Sequence, residues 1–325
     1  MSAVETGNRS RGLLTWLGAQ AWLWSFVGAL AVWLATIVFT EGKGAGEILT
    51  AALSFATFTV IVGIGQMFVI TTGPGNVDLS IPANIALAGA VATKVMGGSD
   101  AMIALGLLAA LGAGLGIGLF NYALIRLLQI PPIIATLSSS FLIMSTAISY
   151  GRGLLIKPPP LFASFTTAQV FGVPVLAIVV VVFAGIMAVV LERTVYGRSV
   201  LAIGQNMRAA WLAGIKVERT RFATYLLSAA LASLCGAFLA GFSGGSALNM
   251  GEEYLLASIA VVVIGGTSVA GGRANLPGVW GAALFMYLLV TMLNTFGVSA
   301  GVRLVMTGII IIAVITVAGG DKPQR

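Results

Sequence analysis

Titratable chemistry is scarce in this 325-residue chain, which carries ten Asp and Glu, one Cys and no His. The missing His and the lone Cys235 exclude a disulfide framework, His or multi-Cys metal sites and any His-dependent catalytic triad. The only Gly-Lys pair, Gly42-Lys43, is followed by Gly44 where a nucleotide-binding loop requires Ser or Thr, so any ATP used must be bound by another chain. No catalytic residue and no metal-ligand set is expected. What the sequence does offer is hydrogen-bonding chemistry in apolar surroundings, from Gln66, Asn84, Asn121, Thr136, Ser138 and Asn294. Such side chains can meet the hydroxyls of a solute or bond one helix to another.

Two glycine-rich interruptions add a second kind of chemistry, that of unpaired backbone. The first is Thr71-Thr-Gly-Pro-Gly-Asn-Val-Asp-Leu-Ser80, followed by Ile81-Pro82; the second is Gly265-Gly-Thr-Ser-Val-Ala-Gly-Gly-Arg-Ala-Asn-Leu-Pro277. Proline suits the first turn of a helix, where its missing N–H costs nothing, so each break should open a new helix. Irregular backbone near membrane depth is tolerated only where protein buries it or water reaches it. Gly73, Asp78 and Ser80 in the first break, and Gly265, Gly266, Thr267, Gly271 and Gly272 in the second, therefore either line a pathway or brace a bundle, unless both segments are ordinary cytoplasmic turns.

A third segment, Glu192–Arg221, is the longest polar interruption, with six basic and two acidic residues. Within it a short helix near Asn206 would present Ala209, Ala210, Leu212 and Ala213 as small and apolar contacts, with Trp211 as an anchor and Gly214 as its C-terminal stop. Small residues on a short helix suit a docking surface.

These segments need elements to position them, and composition names the setting. The chain is 58% hydrophobic and 8% charged, against about 25% charged in soluble domains; that is too little charge to cover a soluble surface, so the chain is a polytopic membrane protein. Ten candidate spans follow from the need for about 20 apolar residues per crossing helix: Trp22–Phe39, Ile48–Ile70, Pro82–Met96, Ala101–Ile125, Pro131–Ser149, Val173–Leu191, Phe222–Phe242, Tyr254–Ala270, Gly278–Phe296 and Val302–Ala318. The third is short and starts at a Pro, as a half-helix would. The stretch from Leu13 to Phe39 is too long for a cleaved signal and reads as an uncleaved first helix. In Gly112-Ala-Gly-Leu-Gly-Ile-Gly118, the pairs Gly112/Gly116 and Gly114/Gly118 would let helix backbones approach closely.

With the N-terminus in the cytoplasm, twelve Lys and Arg fall inside and five outside, while the acids divide five and five. This is the positive-inside asymmetry; it places both termini and the Glu192–Arg221 loop in the cytoplasm and the Glu252 loop outside. The net charge of +7 thus reports orientation rather than nucleic-acid binding. All ten acids fall in expected loops or at span ends, which disfavours an ion-driven carrier with a carboxylate in mid-span.

Several segments also resemble a known family. Arg208-Ala-Ala-Trp-Leu-Ala-Gly214 resembles the Glu-Ala-Ala-x-x-x-Gly coupling motif of ABC importer permeases, and Tyr196–Ile215 as a whole resembles their ribose/xylose/arabinose branch, which includes autoinducer-2 transporters. Asn76-Val-Asp-Leu-Ser80 is similar to that branch's Gly-Ile-Asp-Leu-Ser, and Ile130-Pro-Pro-Ile-Ile-Ala-Thr-Leu137 and Gly265-Gly-Thr-Ser-Val-Ala-Gly-Gly272 match in the expected order. The matches extend from about Gly65 to the C-terminus. Arg208 stands where the motif has Glu, Asn76-Val77 where Gly-Ile is usual, and Ala274 where another Gly is common.

The resemblance implies an all-α, polytopic bundle in the bacterial cytoplasmic membrane. Residues 22–318 would form one permease domain with a coupling loop at 192–221, between cytoplasmic tails at 1–21 and 319–325. It implies import of a monosaccharide or similar polyhydroxylated solute. The implied partners are two ATPase subunits holding ATP and Mg, a second permease copy or related permease, and an extracytoplasmic solute-binding protein. Asn206, Arg208, Ala209, Ala210 and Gly214 would then couple to the ATPase. The rival readings are a branched-chain amino-acid importer permease, an ion-coupled secondary transporter and an intramembrane hydrolase; the last lacks His and any paired Asp within the spans.

Overall fold

A computed structural model describes residues 21–153 and 156–318. The expected cytoplasmic tails, 1–21 and 319–325, lie outside the described residues except for residue 21. The helices in chain order are α1 (Ala21–Phe39), α2 (Ala45–Thr71), α3 (Ile81–Met96), α4 (Ile103–Leu127), α5 (Pro132–Gly151), α6 (Pro160–Thr167), α7 (Val175–Arg193), α8 (Val195–Gln205), α9 (Met207–Leu212), α10 (Val217–Phe242), α11 (Tyr254–Ile264), α12 (Leu276–Thr295) and α13 (Ala300–Ala318). A two-stranded antiparallel hairpin, β1 (Gln169–Val170) and β2 (Val173–Pro174), precedes α7. The protein is an all-α membrane bundle. Among the described residues, α1, α2, α4, α5, α7, α10 and α12 are long and apolar enough to cross a membrane.

Burial sorts these helices. The most apolar windows of α2, α10 and α12 are 56%, 67% and 61% buried, whereas that of α1 is 17% buried, so the first three form the centre and α1 lies outside against α12. Close approach depends on small residues. Gly114 and Gly118 of α4 face α10, where an added Cβ at Gly118 would stand 3.0 Å from the Leu226 Cα. Gly112 and Gly116 face open space, so only one of the two glycine pairs packs a helix.

The eighth expected span is corrected. Helix α11 ends at Ile264, before the second break, and its 11 residues reach only about 16 Å at 1.5 Å per residue, half of a bilayer core of about 30 Å. The chain leaving α10 doubles back along α3 to reach it. Thr93 Oγ1 donates to Ser246 Oγ (3.3 Å), Met250 lies against Gly89, and Gly251 packs on the Pro82 backbone, its potential Cβ 2.9 Å from the Pro82 Cα. Tyr254, at the start of α11, is buried beside Cys235, whose Sγ donates to the carbonyl of Phe58 (3.6 Å) near the middle of α2. Glu252 and Glu253 are exposed, and they stand by the first turn of α3 rather than in a loop beyond the bundle's far end. Helix α3, with 16 residues, is also short, as expected for the third span.

Candidate functional site

The first break leaves α2 at Thr71, where Thr72 N–H donates to Val69 and Gly73 N–H to Ile70, and it then turns into the bundle instead of out to solvent. Asn76, Asp78 and Ser80 are all buried. Backbone here can persist in an apolar interior only if side chains satisfy it, and the polar residues of the surrounding spans do so. Gln66 Oε1 on α2 accepts from Asp78 N–H (3.1 Å), and Thr136 Oγ1 on α5 accepts from Leu79 N–H (3.0 Å). Asn121 Nδ2 on α4 donates to Ser80 Oγ (2.8 Å), and Ser139 Oγ donates to Asn121 Oδ1.

The Asp78 carboxylate accepts from Ser80 N–H (3.0 Å) and Ser80 Oγ (2.6 Å) through Oδ1, and from Ser228 Oγ (2.7 Å) through Oδ2. Asn76 Oδ1 accepts from Arg221 Nη2 (2.9 Å) and Tyr225 OH (3.3 Å). Asp78 lies between helices, as expected, but this segment is inside the protein, which corrects the expectation that such a position keeps every acid out of the apolar interior. Its oxygens are engaged by hydroxyl and backbone donors.

Of the candidates for solute contact, Gln66, Asn84, Asn121 and Thr136 are all fully buried around this break, where Gln66, Asn84 and Thr136 hold backbone and Asn121 holds the Ser80 and Ser139 hydroxyls. Asn84 Nδ2 donates to the Ala229 carbonyl (2.8 Å). Gln66 Nε2 and Asn84 Oδ1 keep hydrogen-bonding capacity with no partner among the described residues. Asn294 does not join them, being exposed near the far end of α12. The residues not foreseen are Ser139, buried beside the expected but exposed Ser138, and Arg221, Tyr225 and Ser228. The i, i+4, i+7 spacing of the last three puts them on one face of α10, a polar stripe in an apolar helix that the sequence does display.

The second break is built differently. Thr267 Oγ1 accepts from Asn275 N–H (3.1 Å), and Ser268 N–H donates to the Arg273 carbonyl (3.1 Å). Asn275 then caps α12 by accepting from Gly278 N–H (3.3 Å). Pro82 and Pro277 both fall in the first turn of the helix that follows their break, as expected. The two breaks meet: Gly272 N–H donates to the Thr71 carbonyl (2.9 Å), and Gly271 packs against Gly73.

Beside this junction, α8 ends and α9 begins at Asn206, whose Oδ1 accepts from Ala209 N–H (3.0 Å). Gly214, at φ +83°, closes α9 in the left-handed conformation; its N–H donates to Trp211 (2.9 Å) and that of Ile215 to Ala210 (3.0 Å), the paired bonds of a Schellman stop. Ala210 is 5% exposed and packs inward on Ile203 and Val217, so it is not an outward contact as its composition suggested. Arg208, Ala209, Trp211, Leu212 and Ala213 face outward. Of these, Arg208 and Trp211 border an open groove of about 870 Å³ that Arg126, Lys216 and Arg219 also line, and in which Glu218 pairs with Arg126 (3.1 Å) and accepts from Tyr122 OH (2.7 Å).

A bundle with two helix breaks near one end and a short exposed helix beside them is that of a multi-pass membrane protein. Residues 48–315 match the family model described as the branched-chain amino acid transport system / permease component, and the chain belongs to that family. It is 36% identical over 256 residues to the ribose import permease protein of Bacillus subtilis (strain 168), covering 78% of each chain. It is 31% identical over 272 residues to the ribose import permease protein of Escherichia coli (strain K12), covering 82% of this chain and 83% of that one. It is 28% identical over 296 residues to the autoinducer 2 import system permease protein of Enterobacter sp. (strain 638), covering 91% and 85%. No solved structure matches.

Proposed function

We propose that this chain is the membrane-spanning permease subunit of an ATP-binding-cassette importer that carries a monosaccharide or similar polyhydroxylated solute into the cytoplasm. The observation that carries the reading is the coincidence of sugar-permease relatives over most of the chain with a capped, outward-facing helix at Asn206–Gly214. The family's descriptive name mentions branched-chain amino acids, but the relatives above import ribose and autoinducer 2, and these favour the sugar reading.

ATP and Mg belong to two partner ATPase subunits, which grip α9 through Arg208, Ala209, Trp211 and Leu212. A second permease copy or a related permease completes the pathway, and an extracytoplasmic binding protein delivers solute. ATP-driven closure of the ATPase pair moves α9 and shifts the bundle between its two access states; the shift comes from the ATPase binding those states with different affinity. Arg126, Arg193, Arg208, Lys216, Arg219 and Arg221 cluster by sequence at the helix ends nearest α9, which supports a cytoplasmic face there, in a bacterial inner membrane with both termini inside.

The test is uptake by proteoliposomes holding the chain, its co-encoded ATPase and its binding protein, over a panel of pentoses, hexoses and polyols. ATP-dependent uptake of one of these is expected. Uptake by the chain alone on a proton or sodium gradient would instead make it a secondary transporter. Cysteine labelling adds a second check: Leu212→Cys should react from the cytoplasm and Lys157→Cys from outside.

A further inference from the structure

We infer that Gly204, Gly271 and Gly272 form a backbone junction through which α9 drives both membrane breaks as one unit; this rests on the proposed function above. Three chain segments meet there backbone to backbone, with only the Gln205 side chain laid against the contact. Gly204 lies one residue before the end of α8, and a Cβ at this position would collide with the Thr71 carbonyl and with Gly272 N. A Cβ on Gly272 would stand 2.7 Å from Gln205 N, closer than real Cβ contacts come. Gln205 Nε2 donates to the Gly272 carbonyl (3.4 Å), while Gly272 N–H donates to Thr71 (2.9 Å). Gly271 and Gly272 have φ of +89° and +75°, the left-handed region that favours glycine, so the turn presenting this N–H to Thr71 depends on them.

The next residue after Gln205 is Asn206, the cap of α9. A displacement of α9 is therefore passed to Thr71, at the mouth of the first break, and to Gly272 in the second, with no flexible linker between. Thr71 closes α2, and Gly272 lies three residues before the cap of α12, so two of the three central helices are reached at once. Coupling of this kind needs a rigid, contiguous contact with two arrangements. The tight approach of three backbones supplies the rigidity, because backbone in direct contact has no rotamers through which to absorb a displacement.

Gly204→Ala tests the junction in the reconstituted transporter with its ATPase and binding protein. The expected result is normal assembly with the ATPase and retained ATP hydrolysis, with solute imported per ATP lowered about fivefold, a coupling change of ordinary allosteric size. Gly185→Ala, on an open face of α7 where an added Cβ meets nothing within 4 Å, should leave that ratio unchanged. If Gly204→Ala is lost from the membrane, Gln205→Ala decides: it removes only the side-chain bond to Gly272 and should lower the ratio about twofold. A wild-type ratio in the surviving variant overturns the junction. Failure of the wild-type chain to bind the ATPase is a separate result and overturns the proposed function itself.

Discussion

Asn76 and Asp78 in the first break are gripped by side chains from α2 and α10, and α5 adds Thr136 to the same backbone. The second break makes most of its bonds within itself, through Thr267, Ser268 and Asn275, and reaches outside through Gly272, whose N–H donates to Thr71 and whose carbonyl accepts from Gln205. Each break has a buried part and an exposed part: Asp78, Ser80, Thr267 and Gly272 are buried, whereas Pro74, Gly75 and Val269 are exposed, so the breaks differ in what holds them and not in depth alone. The first break is thus a fixed abutment and the second a lighter segment that leans on it. In such an arrangement the polar residues of the spans serve the irregular backbone before they can serve a solute.

The largest effect should come from the abutment. Asp78→Leu leaves Ser80 N–H and the hydroxyls of Ser80 and Ser228 without their acceptor in a closed interior, a loss of about 3–5 kcal/mol. It should appear as reduced membrane abundance and a lowered unfolding temperature in detergent. Next is Ala210→Glu, which pushes a carboxylate between Ile203 and Val217. Burying an unpaired charge there should detach α9, abolishing binding to the ATPase while the transmembrane helices keep their circular-dichroism signal. Ala209→Leu, on the outer face, should impair ATPase binding without loosening α9.

Thr267→Val in the second break removes one acceptor, for Asn275 N–H, and should cost about 1–2 kcal/mol. An unfolding shift as large as that of Asp78→Leu would erase the contrast between the breaks. Smallest is Arg208→Ala: an exposed charge without an ion-pair partner among the described residues should change uptake by less than about twofold.

Most helix identities were legible because they are local. Apolar runs gave the long helices, and two Pro residues marked the first turns of α3 and α12. Gly214 marked the stop of α9, because a left-handed residue after a short helix favours glycine whatever surrounds it. The polar stripe of Arg221, Tyr225 and Ser228 was equally present in the spacing, and its meaning depended on knowing that a break lay opposite.

The sequence by itself determined that this chain is a helical membrane bundle with two glycine-rich breaks and a short capped helix in its basic loop, since composition, periodicity and turn chemistry act over a few residues. Only the tertiary structure decided which glycine pair of α4 meets α10, that Ala210 faces inward, that α11 stops half-way, and that Gln66, Asn121 and Thr136 brace the first break while Asn84 ties α3 to α10. A helix sequence fixes the spacing of its faces, but what each face touches is set by neighbours distant in the chain. A polar group buried in an apolar interior takes whichever unsatisfied partner the packing brings within reach.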